Sequence, residues 1–502
     1  MNPELQRNLW LEATRRQLIT TGLILGVIFF VVWLVDRGRD AHDFILTGAA
    51  VFTGCGLVWG PREARASVVN EVYNRTWDFQ RLSALPPWTM TWGKLAGATC
   101  RPWMFAGAAL ILAFLQLASI SSFAHALFWV LIGLGGAVFL QASGLAVGLI
   151  EIRKARAISR LPGLRSPALG VLMLILVAVG GLVWRRTHPG LFFGLGGEET
   201  APSLIWWGMV CDRVAFAAAS LMVVAGFAVL WAWRMMRFEL QMTNAPWAWL
   251  LFVVCAGLYA AGFEAPGGDT TFEVRLTFAA VAFALCAYVS AFTEPADRVR
   301  TRRFAAAIPA LDWGRLWWTL PSPVVPAKLA ILSALIVAVI QWRTGEAASA
   351  AFDLALIAFF VRDLGLIAAL RFAPRGRGGD LGVLACLVLL YLVGGLFGQV
   401  FGHRVGFALF IPSTELPALS LTAGLSAAVL FWAFAAWRIA QNRRAPPKPP
   451  QRLTRPQPAP PSPTQLSPAE PATAVPATPQ PMWSFPQNPQ APPPPAPPAP
   501  PL

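Results

Sequence analysis

Residues 18–35 read LITTGLILGVIFFVVWLV, eighteen consecutive positions without a charged side chain. As an α-helix this run extends about 27 Å, close to the ~30 Å of hydrocarbon in a bilayer. Apolar runs of similar length recur near 43–60, 103–120, 124–150, 167–184, 204–233, 247–263, 275–293, 326–342, 350–370, 381–401 and 415–437. The whole chain has 502 residues, 56% of them hydrophobic and only 13% charged. A soluble domain is roughly 25% charged, so this composition excludes an ordinary soluble enzyme. The expected fold is an all-α polytopic membrane protein with about twelve transmembrane helices. The first run is span-length with no small-residue cleavage site behind it, so it reads as a span rather than a cleavable signal.

The formal charge is +15. With the N-terminus inside, the connections on the cytoplasmic side hold 31 Lys and Arg, against 7 outside. That asymmetry follows the positive-inside rule, predicts a cytoplasmic location for both ends, and argues against a nucleic-acid surface. The six cysteines are scattered and form no CxxC, so neither a disulfide framework nor a zinc site is expected. Residues 446–502 contain 24 prolines. Such a segment lacks the apolar content for a core and reads as a disordered tail with polyproline II character. Its single aromatic cluster, Met482-Trp483-Ser484-Phe485, is the place a docking motif would sit.

Two halves, 1–233 and 234–440, align with each other, followed by the tail from 441. Leu85-Pro86 and Lys94-Leu95-Ala96 match Leu320-Pro321 and Lys328-Leu329-Ala330 at offsets of 235 and 234, and Glu63 matches Glu294 at 231. Arg7 and Glu12 resemble Arg237 and Glu239, and Gly144 matches Gly365, which makes Gln141 the counterpart of the region around Arg362. The common order predicts two six-span repeats of like orientation. Each half has a long cytoplasmic elbow, within 61–102 and 294–325. In the first, Val69, Val72, Tyr73 and Trp77 share one helical face, and Glu71 and Arg75 stand at i, i+4. Pro86-Pro87 is expected to end this helix, with Trp88, Trp92 and Trp103 at the membrane interface beyond it. The second elbow carries Arg298, Arg300, Arg302, Arg303, Trp313, Trp317, Trp318 and Pro321. A helix lying on lipid headgroups is the plain alternative for such a segment.

The stretch from Glu63 to Ala96, with EVYNRTWDFQRLSALPPWTMTWGKLAGA, resembles the loop between the second and third spans of ABC-2-type exporter permeases. The matching features are the acidic start (Glu63, Glu71), the turn Leu82-Ser83-Ala84-Leu85-Pro86, and Gly93-Lys94 before the next span. Residues 5–16 resemble the connecting helix of that family, and Arg234–Leu240 resembles it again. The second half departs, lacking the glycine before Lys328. The resemblance implies an inner-membrane permease whose elbows seat in two cytoplasmic ATPase subunits. Trp77, Gln80 and Arg81 would then belong to the coupling surface, together with their second-half counterparts. It also implies that ATP and Mg are held by those partners and that this chain binds no cofactor. No GxxxxGK[ST] occurs in the chain, so the ATPase is a separate subunit.

Charges inside spans are costly and mark candidate pathway or buried polar positions: Asp212, Arg213, Arg362 and Asp363, with Gln141 as a neutral counterpart. Asp212-Arg213 and Asp353 are placed near outer span ends. Arg362 and Asp363, adjacent and therefore ~100° apart on a helix, are each expected to need a partner on another span, Gln141 being one candidate. The four histidines, His42, His125, His188 and His403, fall in outside loops too far apart in sequence to suggest a metal site. The loops 185–203 and 402–415 are either plain connections or, as the resemblance to the exporter family implies, re-entrant outer-gate elements. The alternatives to a permease are an ion-coupled secondary transporter, which calls for mid-span carboxylates, and a membrane-embedded lipid- or polysaccharide-modifying enzyme, which calls for a polar catalytic loop. A membrane assembly protein with the tail as scaffold is a third.

Overall fold

The computed structural model describes residues 2–444 apart from 13, 37–40, 84, 158–203, 243, 245, 265–270, 294–297, 308, 373–378 and 401–402. The expected span 167–184, the loop 185–203, Glu294 and the tail lie outside the described residues. The elements in chain order are α1 (Pro3–Glu12), α2 (Arg15–Asp36), α3 (Ala41–Phe52), a π-helical segment (Thr53–Trp59), α4 (Gly60–Tyr73), α5 (Trp77–Leu82), α6 (Pro87–Gly97), α7 (Cys100–Ile120) and α8 (Phe123–Ala157). A hairpin of β1 (Leu204–Trp206) and β2 (Met209–Cys211) follows, then α9 (Arg213–Glu239), α10 (Trp247–Ala261), α11 (Phe272–Thr293), α12 (Arg298–Ala307) and α13 (Trp313–Thr319). The remainder is α14 (Val324–Arg343), α15 (Ala347–Arg371), α16 (Gly379–Val400), α17 (His403–Phe410) and α18 (Pro417–Arg444).

Among the described residues nine helices are long and apolar enough to cross a membrane. Two further expected runs form helices that do not meet that measure: α10 has only 15 residues, and α15 carries Asp353, Arg362 and Asp363. Leu18, Ile19, Leu23, Ile24, Val27 and Phe30 of α2 are all exposed. Water would penalise such a helix and lipid covers it at no cost, so the chain is a multi-pass membrane protein.

Two boundaries differ from the sequence expectation. The run 204–233 is not helical from its start: Leu204–Cys211 is a hairpin whose turn holds Trp207 and Gly208 at φ 51° and 76°. Asp212 then caps α9, its Oδ1 accepting from Ala215 N–H at 2.7 Å. At the other end α9 runs on to Glu239, so Arg234–Leu240 forms the last turns of a span and its exit rather than a second connecting helix.

The core under the first elbow is formed by α4, α6, α8 and α9, with Val68, Met90, Leu145, Leu149, Val229 and Met236 buried together. Helix α4 crosses α8 at Gly144, where a Cβ would come within 2.4 Å of the Pro61 carbonyl oxygen. Small residues allow this backbone approach, as is usual between membrane helices. Val147 of α8 and Trp231 of α9 pack on Phe292, Ile367, Val383 and Leu387.

Candidate functional site

Helices α3 and α4 are one continuous rod from Asp43 to Tyr73, joined through the π-helical segment. The apolar run ends near Gly60, so Tyr73 stands about 20 Å further along the axis. The rod ends earlier than expected. Asn74 caps it and Arg75 turns the chain at φ 59° into the short α5. Pro86-Pro87 does not end a helix but begins one: Pro87 is the first residue of α6, where a missing N–H costs nothing.

At the base of α5, five side chains from four helices converge. Lys94 of α6 is buried and donates to Glu4 Oε1 at 3.3 Å and to Glu71 of α4. Glu71 Oε1 also accepts from Gln80 Nε2 at 2.7 Å and from Arg7 at 3.0 Å, and Arg7 bridges back to Glu4 at 2.8 Å. Two carboxylates thus face two cations, and the cluster is neutral. The Lys94 ammonium also lies 5.3 Å from the centre of the Trp77 ring. Helix α1 is seated over α6 by side chains that reach its backbone: Asn2 Nδ2 donates to the Thr89 carbonyl at 2.7 Å and Asn8 Nδ2 to the Gly93 carbonyl at 3.2 Å. Gly93 makes the seat possible, since a Cβ there would sit 2.5 Å from Glu4 Cβ.

The site residues expected from sequence therefore separate into two groups. Glu71, Gln80, Gly93 and Lys94 come together, and Trp77 lies beneath them at 1% exposure, so Trp77 is a buried anchor and not a contact surface. Arg81 pairs loosely with Asp78 at 3.7 Å and Pro86 caps α6. Glu63 stands apart from this cluster. It accepts from Trp59 Nε1 at 2.8 Å in a cleft of about 600 Å³, which Arg62, Arg65 and Gly144 also line. What α5 offers outward is apolar: Phe79 and Leu82 are 77% and 85% exposed, with exposed Tyr73 beside them. Glu4 was absent from the expected set, although the amphipathic pattern of residues 5–16 pointed to the segment beside it.

In the second half, Arg302 lies in α12, Trp317 is exposed on α13, Pro321 precedes α14, and Lys328 is exposed, unlike Lys94.

The intramembrane group is tighter than expected. Arg362 and Asp363 are buried and bond to each other, Arg362 Nε and a terminal nitrogen donating to Asp363 Oδ1 at 3.0 and 2.9 Å. Arginine is long enough to curl back to its neighbour, which corrects the expectation of separate partners. Gln141 is not among the partners of this pair. It accepts from Trp103 Nε1 at 2.8 Å and donates to the Gly56 carbonyl at 3.1 Å, serving the π-helical segment, whose wider turn displaces carbonyls from the regular ladder. The other oxygen of Asp363 accepts from Tyr288 at 3.0 Å and Tyr391 at 2.6 Å, and Arg362 donates to the Phe410 carbonyl at 3.0 Å. Two of the chain's four tyrosines thus serve one carboxylate. Phe410 ends α17, the short helix that folds back on α16 with Phe407 and Phe410 over Gly398 and Gly394. Within the segment expected as an outside loop, 403–410 is therefore a packed helix. Asp212 is a helix cap and Arg213 begins α9, so neither belongs to this cluster. Among the described residues no group of three His, Cys, Asp or Glu converges as a metal site would need.

No family model, no curated protein and no solved structure matches the chain.

Proposed function

We propose that the chain is the membrane-spanning subunit of an exporter of the ATP-binding-cassette kind, driven by separate cytoplasmic ATPase subunits that dock on the first elbow. The observation that carries this reading is the exposed apolar set Tyr73, Phe79 and Leu82, at and just past the end of a rod that is continuous with a span and reaches about 20 Å beyond the apolar run at Tyr73. An apolar surface that far from hydrocarbon fits a protein partner better than lipid. The network of Glu4, Glu71, Gln80 and Lys94 fixes α5 to α1, α4 and α6, so a push on the tip moves these elements together. The π-helical segment is the natural place for the rod to flex, as irregular turns inside helices often are. In this reading the membrane is the inner membrane, both ends are cytoplasmic, and ATP and Mg stay on the partner.

Matching local shapes favour duplication. Arg75 at φ 59° and Leu311 at φ 47° each stand two residues before a short helix that opens with tryptophan, Trp77 or Trp313. Helix pairing also matches, α8 with α9 and α15 with α18. The ion-coupled alternative is weakened because both oxygens of Asp363 are already engaged.

The test is the variant Phe79→Asp/Leu82→Asp in the full chain, purified from its own cells. Both positions are exposed, so thermal stability should be unchanged. Recovery of an ATPase subunit identified by its GxxxxGK[ST] peptide should fall about tenfold or more, as losing central apolar anchors does. Undiminished recovery would remove the tip from the interface.

A further inference from the structure

The two elbows share a local shape but differ in what covers them. Trp77 is sealed beneath Lys94, whereas Trp313 is 76% exposed, and Leu311, Trp317 and Trp318 are exposed with it. The seat for a covering helix is also missing. At the matching offset of 234, Gly93 and Gly97 are replaced by Ala327 and Ile331, whose side chains occupy the space that α1 needs in the first half. The second elbow is also tied to an apolar helix. The Ser322 carbonyl, three residues past α13, accepts from Trp249 Nε1 at 3.1 Å. Trp249 lies in the first turn of α10, an apolar helix, so α13 is tied at the membrane boundary.

The charge of this segment is one-sided. Helix α12 carries Arg298, Arg300, Arg302 and Arg303, and Arg315 follows on α13. The single acid of 298–319, Asp312, is engaged with Arg315 at 3.1 Å. Exposed tryptophans at the membrane boundary beside an arginine-rich helix are the signature of a segment that lies on anionic headgroups.

We infer that the second elbow, residues 298–319, is a docking surface for anionic lipid rather than a second ATPase seat. The inference does not depend on the ATPase reading of the first elbow, and the chain would then have one motor-facing and one lipid-facing elbow.

The test is amide hydrogen exchange on the full chain in nanodiscs of phosphatidylcholine alone or with phosphatidylglycerol. Exchange at 311–319 should slow about fivefold in the anionic discs, the change that one well-placed arginine supplies at such a surface. The variant Arg298→Gln/Arg300→Gln/Arg302→Gln/Arg303→Gln should lose that slowing, while unchanged exchange in α14 shows that it is folded. Equal exchange in the two lipids would overturn the inference. Protection that comes only with added ATPase subunit would also overturn it, in favour of a second motor seat. Exchange at 77–82 in the same samples reports separately on the first elbow.

Discussion

Replacing Lys94 with methionine should release α1 and α5 while leaving the spans in place. Lys94 is buried between Glu4 and Glu71, and its removal leaves two carboxylates in one pocket with only the half-exposed Arg7 to balance them. Removing one partner of a buried ion pair costs about 3–5 kcal/mol, mostly because the remaining charge is stranded. That cost exceeds what the two amide contacts of Asn2 and Asn8 return, at about 1 kcal/mol each. Amide exchange in 3–12 and 77–82 should therefore rise by orders of magnitude in Lys94→Met, with α7 and α8 unchanged. Adding Glu71→Gln removes the stranded charge and should restore part of the protection, a coupling that independent sites would not show. Equal exchange in the single variant and the parent would mean that the network does not hold the elbow.

The second large effect is expected at Arg362. Its guanidinium neutralises Asp363, stacks 4.4 Å from the Phe359 ring centre, and holds the end of α17 through the Phe410 carbonyl. Arg362→Met leaves Asp363 charged inside the membrane with only tyrosine hydroxyls as donors, again a loss of about 3–5 kcal/mol. Arg362→Met/Asp363→Asn removes both charges and should be more stable than the single variant. Thermal unfolding in detergent ranks the two, and exchange in 403–410 shows whether α17 loosens with the loss of Arg362. A single variant as stable as the parent would show that the pair is not the lock between α15 and α17.

Much of the membrane architecture was legible because run length and hydropathy determine insertion almost alone: among the described residues, the stretch 18–35 and the later runs became helices near the expected places, except that 204–211 is a hairpin. The errors arise where one residue type has two uses. Pro86-Pro87 reads as a stop, but a proline pair starts a helix as readily when its first N–H would be unpaired anyway. The family resemblance puts Trp77 on a coupling surface, yet it is buried, and the left-handed Arg75 resets the phase so that the face shared by Val69, Val72 and Tyr73 does not run on into α5. The elbow residues Glu71, Gln80, Gly93 and Lys94 were found through their motif, whereas Glu4 could not be, since its role depends on contact with Lys94 across 90 residues. Arg362 and Asp363 stand out in the sequence only through the cost of charge inside a span. Their partners Tyr288, Tyr391 and the Phe410 carbonyl lie on other elements, and no periodicity in the sequence links them.

The central claim is that the tip of α5 meets a motor subunit. Its most direct measurement is photo-cross-linking in intact cells, with p-benzoylphenylalanine placed at Phe79 and the adducts identified by mass spectrometry. The account predicts an adduct with a nucleotide-binding-cassette ATPase, absent when the same group replaces the buried Met90. Adducts with lipid alone at position 79 would contradict it.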